Sequence, residues 1–321
     1  MTPAGSSSRL CPPFVTSLTS LTPLAAIFAV GAIALAGCGS AEPNEESSSG
    51  ALRVVAAENF WGSIAAQLGG SDVEVRSLIV NPNTDPHSYE PTAADARAMA
   101  GAQMTIVNGI GYDEWATHLL SVNPDAGRVG LDVGKLLGEK LGDNPHQWYS
   151  PAHVRTVVDQ IVADYDKLRP ADASYFAKRK SAFETVGLAR YDALLAQIRT
   201  RYAGVAVGYS ESIFRPLGEA LGLKLLTPYS FAKAIAEGSE VSAQDKQTVD
   251  RQVSRHEIKL WVFNSQNATP DVQRVNALAR AVQIPTVAVT ETLSPASASF
   301  EQWQVAQLER LRDALHRVLG R

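Results

Sequence analysis

Two of the chain's 6 histidines stand in nearly the same local sequence. His87 lies in Asn83-Thr84-Asp85-Pro86-His87-Ser88-Tyr89-Glu90-Pro91-Thr92, and His146 in Asp143-Asn144-Pro145-His146-Gln147-Trp148-Tyr149-Ser150-Pro151. In each, an Asx residue and a proline precede the imidazole and an aromatic side chain follows it. Proline restricts how the backbone approaches the histidine, and Asp85 or Asn144 can bond nearby main chain and shape the turn. Both segments follow a strand-like run, and open α/β sheets bind ligands in loops at the carboxyl ends of strands. Two imidazoles held there suit a metal ion more readily than a catalytic pair, although spacing alone leaves an ordinary loop role equally open.

The remaining histidines have plainer readings. His118 and His316 fall in amphipathic helical segments, residues 113–120 and 302–319. His153 follows Pro151 at a helix start, and His256 sits between Arg255 and Glu257 at a charged helix end. Surface or capping roles account for all four. The chain has 2 cysteines, Cys11 and Cys38, too few for a disulfide framework or a four-cysteine zinc site.

The elements that must position these residues can be read from the rest of the chain. Its 321 residues are 45% hydrophobic, with 33 acidic and 29 basic side chains and a net charge of −4. That length and composition fit two globular domains, and the mild negative charge argues against a nucleic-acid binder. Short β-rich runs recur at residues 52–57, 73–79, 104–108 and 129–133, then at 205–209, 224–226, 259–264 and 286–290. Each is followed by a helical pattern. Such alternation predicts an α/β fold of two lobes, each a mostly parallel four-stranded sheet with flanking helices. Between the halves, residues 170–202 keep helical spacing from Pro170 onward without a further proline, which predicts one long rigid helix joining the lobes. Gly187 is its weak point.

The amino terminus bears on compartment. Residues 1–20 are rich in Ser, Thr and Pro with Arg9 as the single charge, and an apolar run follows at 24–36. The run is shorter than the ~20 residues that cross a bilayer and suits the h-region of a signal peptide. It ends at Leu35-Ala36-Gly37-Cys38, which resembles a bacterial lipobox, whose cysteine is acylated and becomes the first residue. Removal of residues 1–37, with one basic and no acidic side chain, would take the net charge from −4 to −5. Residues 38–50 then read as a flexible tether, residues 51–169 as the first lobe, 170–202 as the linking helix and 203–321 as the second lobe.

From residue 53 to 315 the chain resembles the zinc/manganese solute-binding lipoproteins of bacterial ABC uptake systems, the cluster A-I group. The resemblance rests on Asp85-Pro86-His87-Ser88-Tyr89-Glu90-Pro91-Thr92, on Asn108-Gly109-Ile110-Gly111-Tyr112-Asp113-Glu114-Trp115 and on Asn144-Pro145-His146-Gln147-Trp148. It implies that His87 and His146 are the first two metal ligands. It places the third at Glu211, in Gly208-Tyr209-Ser210-Glu211-Ser212-Ile213-Phe214. The fourth falls at Glu291, in Val289-Thr290-Glu291-Thr292-Leu293-Ser294-Pro295, where the family usually has Asp.

The implied cargo is one Zn²⁺ or Mn²⁺. Two neutral imidazoles and two carboxylates balance a divalent cation in formal charge. Carboxylates suit the harder Mn²⁺, whereas intrinsic affinity rises toward Zn²⁺. The His-rich acidic loop of many zinc members is not present in the sequence. Asp85, Tyr89, Trp148 and Asn264 are candidates to orient the ligands, and Trp61 and Phe214 could join the apolar shell. The resemblance further implies a monomer on the extracytoplasmic face of the cell membrane, lipid-anchored through Cys38 and partnered by an ABC permease, with no nucleic acid and no catalytic role. Two other functions on this architecture are a metal-dependent hydrolase and an iron–siderophore binder. A catalytic zinc keeps an open position for water, and a siderophore complex needs a broad basic or aromatic cleft.

Overall fold

The computed structural model describes residues 50–82, 84, 86 and 89–320. Cys38, Asp85, His87 and the expected signal peptide and tether to residue 49 lie outside the described residues. Residues 49–321 form one compact unit with two parallel sheets.

The first sheet contains β1 (Leu52–Glu58), β2 (Val73–Ile79), β3 (Met104–Val107) and β4 (Val129–Asp132) in the order β2-β1-β3-β4. The second contains β5 (Ala206–Tyr209), β6 (Lys224–Leu225), β7 (Leu260–Asn264) and β8 (Thr286–Val289) in the order β6-β5-β7-β8. All six strand pairings are parallel, with Val54 opposite both Val75 and Met104, and Trp261 opposite Thr286. Parallel pairing requires helical crossovers, so the central strands are covered on both faces and tolerate little besides apolar residues. β3 is buried along its whole length.

The first lobe carries α1 (Asn59–Gly69), α2 (Ala93–Gly101), α3 (Glu114–Val122), α4 (Val133–Leu137) and α5 (Pro151–Leu168). Local signals fix their starts. Thr92 and Asp95 form a reciprocal capping box on α2, while Ser150 caps α5 just before Pro151 at its first turn. The linking segment is helical from α6 (Ala173–Ala182) to α7 (Ala189–Tyr202), with one π turn at Phe183–Gly187. Leu188 N–H donates to Phe183 O at 2.8 Å across that turn. A glycine lowers the local preference for α geometry, and the wider turn falls where Gly187 stands. The second lobe carries α8 (Arg215–Ala220), α9 (Tyr229–Ala236), α10 (Ala243–Ser254), α11 (Pro270–Ala281) and α12 (Phe300–Leu319). Among the described residues no helix is long and apolar enough to cross a membrane.

The lobes share one apolar core. A single buried cluster runs from Leu52, Phe60 and Trp148 in the first lobe, through Tyr191 and Leu194 of α7, to Val207, Leu260 and Trp303 in the second. The chain after β8 is bonded into the first lobe, through Leu293 N–H to Asn59 Oδ1 at 3.2 Å and Phe300 N–H to Ser63 Oγ at 2.9 Å. In the other direction Tyr149 Oη donates to Thr290 O at 2.7 Å. Separating the lobes would expose this core as well as break those bonds, so large opening is disfavoured.

Phe60 is fully buried and stacks on Trp148 with ring centroids 3.9 Å apart. Phe60→Ala is expected to destabilise the chain by about 3–5 kcal/mol. Urea unfolding would measure it, and a loss below about 1 kcal/mol would show that this pair is not a packing centre.

Candidate metal centre

In both sheets the strand order reverses beside the first strand, which opens a crevice at the carboxyl ends of β1 and β3 and of β5 and β7. The chemistry-bearing side chains gather there. Glu211 follows β5, Asn264 ends β7 and Glu291 follows β8, while His146 comes from the loop between α4 and α5 of the other lobe. His146, Glu211 and Glu291 each offer a ligand atom, and these atoms lie within 4.8 Å of one another. All three side chains are buried, at 0%, 1% and 6% exposure.

Each donor is held by a defined partner. His146 Nδ1 lies 2.8 Å from Asn144 Oδ1, and the Asn144 amide nitrogen donates to Ser212 O across the lobes at 2.8 Å. With Oδ1 as the acceptor, Nδ1 carries the proton and Nε2 keeps its lone pair. That Nε2 stands 3.5 Å from Glu211 Oε1. Asn264 Nδ2 donates to Glu211 Oε2 and to Glu291 Oε1, both at 2.8 Å. The amide therefore bridges two buried carboxylates whose mutual repulsion would otherwise be strong. A divalent cation among these oxygens and the imidazole nitrogen would offset that repulsion, and the donor types suit Zn²⁺ or Mn²⁺.

The first lobe also sends in Tyr112, whose hydroxyl donates to Glu291 Oε2 at 2.8 Å. Its backbone loop is unusual. Gly109, Ile110 and Gly111 have φ of 72°, 62° and 85° in succession. For a β-branched residue such as Ile110 this is an outlier that costs on the order of 1–3 kcal/mol. A side chain at position 109 would meet Asp132 Oδ1 at 2.5 Å, so glycine is required there. Asp113 fastens the loop by accepting from Asn108 N–H at 2.6 Å and Gly109 N–H at 2.8 Å. Burial pushes the Tyr112 hydroxyl well above its usual pKa, with Glu291 adding to the shift, so it remains a donor.

Beside this loop Glu58 is fully buried, with its carboxyl group against that of Asp113. Burial first, then the Asp113 charge, raises its pKa well above the carboxylate range and favours the neutral acid. Burial also pushes Asp113 up to about 6, against the lowering effect of its backbone donors.

The other residues singled out in the sequence lie as follows. Trp148 is buried, with its ring 5.2 Å from the His146 imidazole centroid. Trp61 Nε1 donates to Asn108 Oδ1 at 3.0 Å and so supports the Tyr112 loop from beneath. Tyr89 is turned to the start of α2, where its hydroxyl donates to Asp95 Oδ2 at 2.9 Å. Phe214 is buried in the second-lobe core. Tyr112 and Glu58 join the site without a role that the sequence assigns them, and Asn144, expected to shape the turn before His146, also holds the imidazole. The usable signals are glycines on both sides of Ile110 just before Tyr112, and an acidic residue ending β1 after the apolar run from Val54 to Ala57.

Comparison with known proteins places this geometry in context. Residues 54–314 match the family model described as zinc-uptake complex component A, periplasmic. The chain is 26% identical over 204 residues to the manganese-binding lipoprotein MntA of Halalkalibacterium halodurans, covering 61% of this chain and 66% of that one. It is 34% identical over 129 residues to the manganese ABC transporter substrate-binding lipoprotein scaA of Streptococcus gordonii, covering 36% and 41%. Each match spans less than two thirds of the relative's length. The fold is similar to that of the periplasmic zinc binding protein TroA from Treponema pallidum, with a TM-score of 0.67 at 20% identity, covering 85% of this chain and 100% of that one.

Proposed function

The chain belongs to the zinc-uptake complex component A periplasmic family, and from that premise we propose that it is an extracytoplasmic binding protein that captures one divalent transition-metal ion, Zn²⁺ or Mn²⁺, between its lobes and delivers it to an ABC permease. The observation that carries this reading is the buried convergence of His146, Glu211 and Glu291 from both lobes. His87, outside the described residues, is the fourth ligand in this reading.

Capture follows from the chemistry of the residues. Two carboxylates draw the cation inward and balance its charge when both imidazoles are neutral. Asn264 and Asn144 hold the Glu211, Glu291 and His146 donors in place before the ion arrives, which lowers the ordering cost of binding. Donors enclosed between two lobes suit retention and release of an ion rather than turnover at an open coordination position. The role is therefore transport, not catalysis.

Cys38 anchors the chain to the membrane through lipid. Residues 1–37 are the signal peptide, 38–50 the tether, 51–169 and 203–321 the lobes, and 170–202 the link between them. Cys38→Ser is expected to abolish lipid labelling and release the chain from membranes while leaving metal affinity in solution unchanged. A chain that still labels and stays with membranes would refute the anchor. The transport reading is tested by uptake of radiolabelled zinc and manganese into cells with and without the protein. Uptake of at least one ion should depend on it, and equal uptake of both in its absence would count against the proposal.

A further inference from the structure

Glu291 is held from both lobes. Asn264 takes one oxygen of Glu291 and one of Glu211, and Glu291 Oε2 also accepts from Tyr112 Oη at 2.8 Å. Both oxygens of Glu291 thus carry a hydrogen bond from the protein, one from each lobe. Tyr112 has little freedom to yield. Its ring is buried against Trp148 at 5.0 Å and His146 at 5.9 Å, and its loop holds three successive positive φ angles tied down by Asp113. Strained backbone persists where the surrounding structure over-determines it, and it concentrates at functional sites.

We propose that Tyr112 is a specificity-determining positioning residue, which holds Glu291 as a one-oxygen donor and so favours Zn²⁺ over Mn²⁺. The inference rests on the metal-binding reading above. For Glu291 to chelate with both oxygens, Oε2 must turn from the phenol toward the ion and give up that hydrogen bond. The hydrogen bond therefore opposes chelation and lowers the number of oxygens the site offers. Zn²⁺ is content with about four ligands, whereas Mn²⁺ suits oxygen-rich, six-coordinate surroundings. A site that restrains carboxylate chelation handicaps manganese more than zinc.

Tyr112→Phe removes the hydroxyl and keeps the ring. Dissociation constants for Zn²⁺ and Mn²⁺, measured by chelator competition at fixed pH on the lipid-free mature chain, should give a Zn²⁺/Mn²⁺ preference about tenfold lower in the variant, within the range seen for partners of metal ligands. The same substitution in a Glu291→Gln background should leave the preference unmoved, because the effect acts through the Glu291 carboxylate. A merely structural role for Tyr112 would shift both backgrounds alike. An unchanged or raised preference in Tyr112→Phe overturns the inference. So does X-ray absorption of the zinc-loaded native chain that shows Glu291 bound through both oxygens, a measurement that needs no variant to fold. If the native chain binds neither ion, the metal-binding reading itself fails, which is a distinct outcome from metal bound with no change in preference.

Discussion

A chain carrying both His87→Ala and His146→Ala loses tight binding of zinc and manganese alike and remains folded. Loss of a partner that merely orients a ligand lowers metal affinity about 10–100-fold, so removing two direct donors should exceed about 100-fold. His146 presents Nε2 toward Glu211, with its other nitrogen committed to Asn144. Truncation leaves Glu211 and Glu291 buried with less compensation for their charge, which costs some stability. Trp148 loses its edge contact with the buried imidazole, but the strands of neither sheet include His146, so the far-ultraviolet dichroism should match that of the native chain. Titration with each ion under chelator buffering gives the affinity. A folded double variant that binds as tightly as the native chain would remove both histidines from the site.

Replacing Glu211 by His should move selectivity toward zinc. The change trades an anion for a neutral nitrogen, and the loaded site, formally neutral with two glutamates, would carry a formal charge of +1. Both ions lose electrostatic stabilisation. Mn²⁺ loses more, because carboxylate suits manganese while imidazole suits zinc. The Zn²⁺/Mn²⁺ affinity ratio is expected to rise at least about tenfold, or ~1.4 kcal/mol. Asn264 would also lose an acceptor, since its amide donates to Glu211 Oε2. The direction is opposite to that expected for Tyr112→Phe, so the two variants together separate the kind of donor from the number of oxygens. A ratio that stays level or falls in Glu211→His would mean that geometry rather than ligand type governs selection.

Much of the fold is legible in the residues because its strands are short apolar runs whose neighbours are turns. The run at 73–79 coincides with β2, and the run at 129–133 ends one residue beyond β4. Double coverage of a parallel sheet leaves little freedom in such segments, so composition alone marks them. The linking helix is legible for a similar reason, in its long helical spacing. Its π turn depends on how one extra residue is absorbed near Gly187, which periodicity does not reveal.

The site is less legible because it is assembled over long separations. Asn264 and Glu211 are 53 residues apart, and Tyr112 and Glu291 are 179 apart. Spacing near His146 marks a constrained loop, but only resemblance to a family points from it to Glu211 and Glu291. Tyr112 follows a Gly-Ile-Gly stretch that helps to carry the family resemblance but does not point to a partner for the hydroxyl. Its importance emerges once the loop's positive φ angles and the second lobe's carboxylate are seen together. Tyr89, by contrast, lies two residues from His87 in sequence, yet Asp95 of the α2 capping box holds its hydroxyl. Proximity along the chain is a poor guide to which aromatic serves a site between lobes.

The central claim is that one divalent ion sits between the lobes on donors from both. Its most direct measurement is anomalous diffraction, at the zinc and manganese absorption edges, from crystals of the lipid-free mature chain loaded with each ion in turn. The account predicts a single strong peak per chain, with His146 Nε2 and oxygens of Glu211 and Glu291 at about 2.0–2.2 Å from zinc, and His87 completing the set. A peak elsewhere, or no peak in a chain saturated with metal, would contradict it.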